Sequence, residues 1–139
     1  MSVIVTDQGF SEDDWEAGFT ALQEFPSDEA GGGLALDLPS DTDPAELAGR
    51  LGGVAMIRVD FPAAADGRGF TIARQLRRQG FEGRLRAKGH VIADQYAMAR
   101  RCGFDEVEID ADLARRQPEA QWRARADWQA RDYQSRLRG

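Results

Sequence analysis

Between residues 34 and 110 the chain switches between two hydrophobic periods. Alternation with a period of two occupies 34–38, 54–61, 84–89 and 106–109, which predicts four strands whose side chains point to two opposite faces. Helical spacing fills the gaps: Phe70, Ala73 and Leu76 within 70–79, then Val91, Gln95 and Met98 within 91–102. A shorter helix is expected after Asp43, an N-cap residue followed by Pro44 at the first helical position and by Glu46, and it stops at Gly52 and Gly53. Residues 62–69 read as a loop. The order β-α-β-α-β-α-β implies parallel strands joined by right-handed crossovers.

The pattern also repeats. Leu76-Arg77-Arg78-Gln79-Gly80-Phe81-Glu82 returns 23 residues later as Ala99-Arg100-Arg101-Cys102-Gly103-Phe104-Asp105. A fixed period of this size points to one supersecondary unit used twice. Gly80 and Gly103 suit the left-handed position just past a helix. The arginine pairs suit the negative end of the helix dipole, and Phe81 and Phe104 fold back as apolar caps.

The flanks are less regular. Residues 2–6 read as a short strand at a sheet edge. Trp15, Phe19 and Leu22 stand at helical spacing, which predicts a helix over 10–22 with Ser11 as N-cap. Residues 27–33 form a linker ending in the triple glycine 31–33, whose flanks fit no phosphate-binding loop. After residue 112 a basic helical tail is expected, starting at Pro118, with Trp122, Ala126, Gln129, Tyr133 and Leu137 on one stripe. The organisation is thus one domain over 1–112, with its core at 34–110, and a tail over 113–139.

The two faces of the central sheet differ. One collects Leu34, Leu36, Leu38, Ala55, Ile57, Val59, Phe61, Leu85, Ala87, Val107 and Ile109. The other collects Asp37, Arg58, Asp60, Arg84, Arg86, Lys88, Glu106, Glu108 and Asp110. A doubly wound sheet would be apolar on both faces. The expected fold is therefore an α/β, partial β/α-barrel-like parallel sheet with helices mainly on one face. On the ionic face the basic strand 84–89 is expected beside the acidic strand 106–109, and the N-terminal segment or a second subunit is a candidate cover.

Composition narrows the functional classes. The chain has 139 residues, 42% of them apolar, and a net charge of −6, which suits one domain with a modest core. No apolar run approaches membrane-spanning length and no signal-peptide pattern opens the chain, so a cytoplasmic protein without membrane association is expected. One cysteine and one histidine supply no zinc or iron–sulfur ligand set, and no metal or cofactor is expected. Residues 1–53 carry 12 acids against Arg50 alone, whereas 54–139 carry 12 acids and 17 bases. Acidic balance and the lack of any known motif speak against nucleic acid as a partner, and the two halves are expected to complement each other.

Ligands of parallel α/β structures gather at the carboxyl ends of strands. That edge presents Asp60, then Asp66, Gly67, Arg68 and Gly69, then His90, Asp94 and Gln95. The glycines would let backbone amides approach an anion at the next helix N-terminus, with Arg68 adding charge. His90 is a candidate general acid or base, oriented by Asp60 or Asp94. Each has a bland reading beside it: a turn with Arg68 paired to Asp60 or Asp66, a loop histidine, and an Asp94 placed by the helix dipole alone. Cys102 is expected to be packed and inert.

Taken together, Val59-Asp60-Phe61-Pro62, Asp66-Gly67-Arg68-Gly69-Phe70, Leu85-Arg86-Ala87, Asp94-Gln95 and Arg100-Arg101-Cys102-Gly103-Phe104-Asp105 resemble a bacterial family of unknown function. Its genes commonly lie beside sulfite reductase genes, and its members are labelled oxidoreductases of sulfite reduction. The likeness covers 34–110 well. The family pattern carries an acid where His90 stands. The resemblance implies a role in assimilatory sulfite reduction. The chain lacks the cysteines, flavin motif and nicotinamide motif that sulfite reduction itself needs. Two readings follow: an accessory or sulfur-oxyanion-binding protein working with sulfite reductase or another sulfur-assimilation enzyme, with a homodimer as a further candidate, or a small oxidoreductase using Asp60, Arg68, His90 and Asp94.

Overall fold

A computed structural model of the chain describes residues 2–25 and 33–128. Its strands are β1 (Ser2–Thr6), β2 (Gly9–Ser11), β3 (Thr20–Ala21), β4 (Leu34–Leu38), β5 (Val54–Phe61), β6 (Arg84–Gly89) and β7 (Glu106–Asp110). Its helices are α1 (Arg68–Arg78), α2 (Tyr96–Cys102), α3 (Ala111–Arg116) and α4 (Glu119–Arg123). The strands form one mixed sheet in the order β2-β1-β7-β6-β5-β4-β3. β3 through β7 are parallel, while β1 runs antiparallel to β7 and β2 antiparallel to β1. Sequential strand order and one-sided helices are as expected, and the sheet order ends in two edges, β2 and β3.

The apolar face takes all four helices. Phe70, Ile72, Ala73 and Leu76 of α1, Tyr96, Ala99 and Cys102 of α2, Leu113 of α3 and Trp122 of α4 join one cluster with Leu36, Ile57, Val59, Leu85 and Val107 of the sheet. The repeat closes identically in both copies. Gly80 and Gly103 have φ of +95° and +112°, and the amides of Phe81 and Phe104 donate to Leu76 and Ala99 carbonyls at 3.1 and 3.0 Å, the six-to-one bond of a Schellman stop. In each copy the first arginine of the pair clasps the turn: Arg77 donates to the Phe81 carbonyl at 2.9 Å and Arg100 to that of Phe104 at 2.7 Å.

Four expectations need correction. The helix over 10–22 does not form, and Ser11 is no N-cap: Phe10 pairs with Val5 in a hairpin, after which the chain crosses the ionic face and enters β3. Phe19 of that stripe instead lies against arginines, and Trp15 lies beside Phe19. Residues 2–6 are not at an edge, because β2 covers one side and β7 the other. After the Asp43 cap, which accepts from the Ala45 amide at 3.0 Å, only a 3-10 turn over Pro44–Leu47 forms. The helix expected from 91 opens as a 3-10 turn over Ala93–Gln95 before α2.

The chain beyond residue 112 starts as two short helices rather than one. Trp122 is 1% exposed, edge-on to Tyr96 at 6.1 Å. Glu119 accepts from the Phe10 amide at 2.8 Å and so caps the outer edge of β2. The linker residues 27–32 and the stripe positions Gln129, Tyr133 and Leu137 lie outside the described residues.

Candidate functional site

Strand parity builds an ion-pair layer on the sheet face away from the helices. Arg58 lies opposite Asp37 on β4, and Arg86 opposite Glu106 on β7. Arg58 bonds Asp37 at 2.8 Å and Glu108 at 3.1 Å. Arg86 bonds Glu106 at 2.6 Å and Glu108 at 2.9 Å, and Arg84 bonds Glu106 at 2.8 Å. Arg86 is 0% exposed. Burial works against its charge, and the hydrogen bond to Asp13, the charge of Glu106 and the hydrogen bonds to Glu108 and Glu106 outweigh that and raise its pKa. A buried charge held by several partners is costly to break. Residues 12–19 roof this layer: Asp13 reaches Arg86, Asp14 reaches Arg84 at 2.8 Å, and the Phe19 ring centroid sits 3.6 Å from the Arg58 guanidinium carbon.

The layer ends at the carboxyl rim of the strands. Lys88 lies opposite Glu108 on one side and Asp60 on the other. Glu108, however, gives its oxygens to Arg58, Arg86 and the Ser2 hydroxyl. Among the described residues, the side chains of Asp60, Lys88 and His90 make no hydrogen bond or ion pair. Lys88 and His90 line a small cavity of about 140 Å³ with Ser2, Glu108, Asp110 and Arg116. Gly89 sets His90 there. Its φ is +120° and a Cβ would strike the Phe61 carbonyl, so β6 turns tightly off the end of β5 and the His90 amide donates to that same carbonyl at 2.9 Å.

The Asp66–Gly69 loop lies apart from this cavity. Asp66 accepts from the Arg68 backbone amide at 3.1 Å and from its guanidinium at 2.9 and 2.6 Å. The pair sits at the surface, and the hydrogen bonds from Arg68 hold the Asp66 carboxyl at about 2. Asp66 thus supplies its own anion at the start of α1. Arg68 also bonds the Ser40 hydroxyl at 2.9 Å and faces a cleft of about 370 Å³ with Thr42, Pro44, Thr71 and Gln75. Gly69 serves packing, since a Cβ there would strike the Phe61 ring, whereas Gly67 has space. Asp94 points outward to Arg125 at 2.8 Å. Gln95 braces the loop, accepting from the Ile92 amide at 3.0 Å and donating to the Ala64 carbonyl at 2.8 Å. Cys102 is buried, and burial raises its pKa.

Residues 35–139 match the family described as bacterial proteins of unknown function, DUF934. The chain belongs to that family. The matched span holds the rim residues Asp60, Lys88, His90 and Asp110 and the arginines of the buried layer, and it leaves out residues 12–19. No curated protein and no solved structure matches the chain.

The residues that the structure brings to one rim are Asp60 and His90, together with Lys88, Ser2, Asp110 and Arg116, which sequence patterns had not marked as a site. Lys88 carried a faint signal as the last cation of a basic strand facing an acidic one. Arg68 and Asp94 stand elsewhere with partners of their own. Chemically the rim offers an unpaired ammonium, an imidazole and a carboxylate. No hydrogen bond joins His90 to a carboxylate among the described residues, so the rim holds charge and donors rather than an assembled base and orienter. No helix among the described residues is long and apolar enough to cross a membrane.

Proposed function

We propose that the protein is an accessory of assimilatory sulfite reduction that holds a small sulfur oxyanion at the sheet rim, in the cytoplasm, for sulfite reductase or another enzyme of that pathway. The observation that carries the ligand half is Lys88, a cation that lines a concave rim and has no ion-pair partner among the described residues. A volume of about 140 Å³ is several times the roughly 30 Å³ share of one water, enough for a four- or five-atom anion. His90 adds a donor, while the Ser2 hydroxyl on the same rim donates to Glu108. The pathway half rests on the resemblance of the Asp66–Phe70 and Arg100–Asp105 segments. The same reading takes the sheet as part of a barrel curled about its ionic face.

Calorimetric titration of sulfite and sulfate into the full chain tests the ligand half. Saturable binding that chloride at matched ionic strength does not mimic, lost in Lys88→Gln and kept in Arg68→Gln, is expected. Absence of saturation with both anions would sink it. Deleting the gene should slow growth on sulfate and spare growth on sulfide, and equal growth on both would remove the pathway half. The oxidoreductase reading has thinner support, because Arg68 and Asp94 spend their charges on Asp66 and Arg125.

A further inference from the structure

β2 and β3 follow one another in sequence but form opposite edges of the seven-stranded sheet. Along the sheet, six strand spacings amount to about 29 Å. The nine steps from Ser11 to Thr20 reach at most about 30–32 Å when fully extended. Residues 12–19 therefore cross the ionic face as a strap with little spare length, bent where Gly18 takes a φ of +77°. They donate no ladder hydrogen bonds, and their internal bonds are local: the Trp15 amide to Asp13 at 2.9 Å and the Trp15 indole to the Gly18 carbonyl at 2.8 Å. Side chains alone fix the strap to the sheet. Both oxygens of Asp13 meet the terminal nitrogens of Arg86 at 3.1 Å, Asp14 meets Arg84, and Phe19 stacks on Arg58.

Without the strap the layer is already balanced, because Asp37, Glu106 and Glu108 answer Arg58, Arg84 and Arg86. The strap carboxylates are additional ligands. They fill the outward fork of Arg86, a geometry made for a carboxylate. The arginines lie within the span that matches the family, and the strap lies outside it. At its far end the strap is tied by β3, which pairs through two residues only.

We infer that Arg58, Arg84 and Arg86 form a docking trough for an extended acidic segment bearing an aromatic residue. Residues 12–19 occupy it in the free chain, and a partner protein's segment of the same chemistry takes their place. Unpairing of β3 supplies the slack that release requires.

The test uses a synthetic peptide of residues 11–20 and a scrambled peptide of the same composition, added to the full wild-type chain and to the full chain carrying Asp13→Asn and Asp14→Asn. A self-occupied trough lowers apparent affinity by its open fraction, so the variant should bind the peptide about tenfold or more tightly than wild type. Binding should weaken as salt rises, and the scrambled peptide should bind less well. Equal binding to wild type and variant, equal binding of both peptides, or no binding to a variant that still melts cooperatively would each overturn the trough. Should the variant not fold, hydrogen exchange on the wild-type chain decides: excess peptide must speed exchange across 12–21, and unchanged exchange would overturn the inference.

Discussion

On β6, Arg86 and Lys88 point to the same face, two residues apart, yet among the described residues one is ion-paired with four acids and the other with none. Register alone would treat them alike, since Arg86 faces Glu106 and Lys88 faces Glu108 across the same pair of strands. The difference arises because Glu108 leans back along the face to Arg58 and Arg86. A planar guanidinium binds two carboxylates through separate edges, which a compact ammonium on a flexible stem does less well. Competition for one carboxylate thus divides the face into a layer whose arginines are matched by acids and a rim where Lys88 has no such partner among the described residues.

The largest test of that division is Arg86→Leu. It would leave Glu106 and Glu108, each 5% exposed, short of a buried partner, and should lower unfolding stability by about 3–5 kcal/mol in urea denaturation. A loss below about 1 kcal/mol, the range of exposed ion pairs, would mean that the layer is no more structural than the rim.

A second contrast lies in the two glycines of the Asp66–Gly69 loop. Gly69→Ala should destabilise by about 1–3 kcal/mol through overpacking on Phe61, while Gly67→Ala should stay within about 0.5 kcal/mol. Thermal melts of the two variants check this. Equal and small effects would return both glycines to the role of letting an anion approach.

Much of this was legible and some was not, for identifiable reasons. The strand at 84–89 follows from strict alternation and that at 54–61 from an apolar run that alternates from Ile57 on, and the ionic face follows from the same parity. The stops at Gly80 and Gly103 follow from the repeat. The crossing at 12–19 was hidden because Trp15, Phe19 and Leu22 mimic a helix stripe. What keeps that segment extended is the width of a sheet whose order no local pattern reveals. At the rim, the positions of Asp60 and His90 were legible from their place at strand ends. For Arg68 the sequence left an anion loop and a pairing with Asp60 or Asp66 side by side, and the geometry pairs it with Asp66. The isolation of Lys88 was not legible, because it depends on which way one glutamate leans.

The charge of the Asp66–Arg68 pair predicts a smaller, pH-linked effect. Asp66 is depressed from 3.8 to about 2 by Arg68. A depressed acid adds stability that is present above its unfolded value and is lost as pH falls through its folded value. The window is therefore about pH 4 down to about 2, and Asp13 and Asp14 act in the same direction: burial opposes Asp13's shift and the Arg86 hydrogen bond overrides it, while Arg84 lowers Asp14. NMR titration should find the Asp66 carboxyl near 2 in the wild type and moved back toward 3.8 in Arg68→Ala. An unmoved carboxyl would break the pairing that sets Arg68 apart from Lys88.

The smallest stability effect belongs to the rim itself. Lys88→Gln removes a charge that contacts no carboxylate, so its melting behaviour should match wild type to within about 0.5 kcal/mol. Its oxyanion binding should nevertheless be lost, because among the described residues the ammonium is the one cation of the face without an ion-pair partner. His90→Ala should behave similarly, with weaker loss of binding, since its ring adds a donor beside the charge. A variant that melts early would place Lys88 inside the structural layer, its attraction to Glu108 and Asp60 counting for more than the distances show. A variant that melts normally and binds normally would leave the rim without a ligand. Only unchanged stability with lost binding keeps the two ends of the face physically distinct.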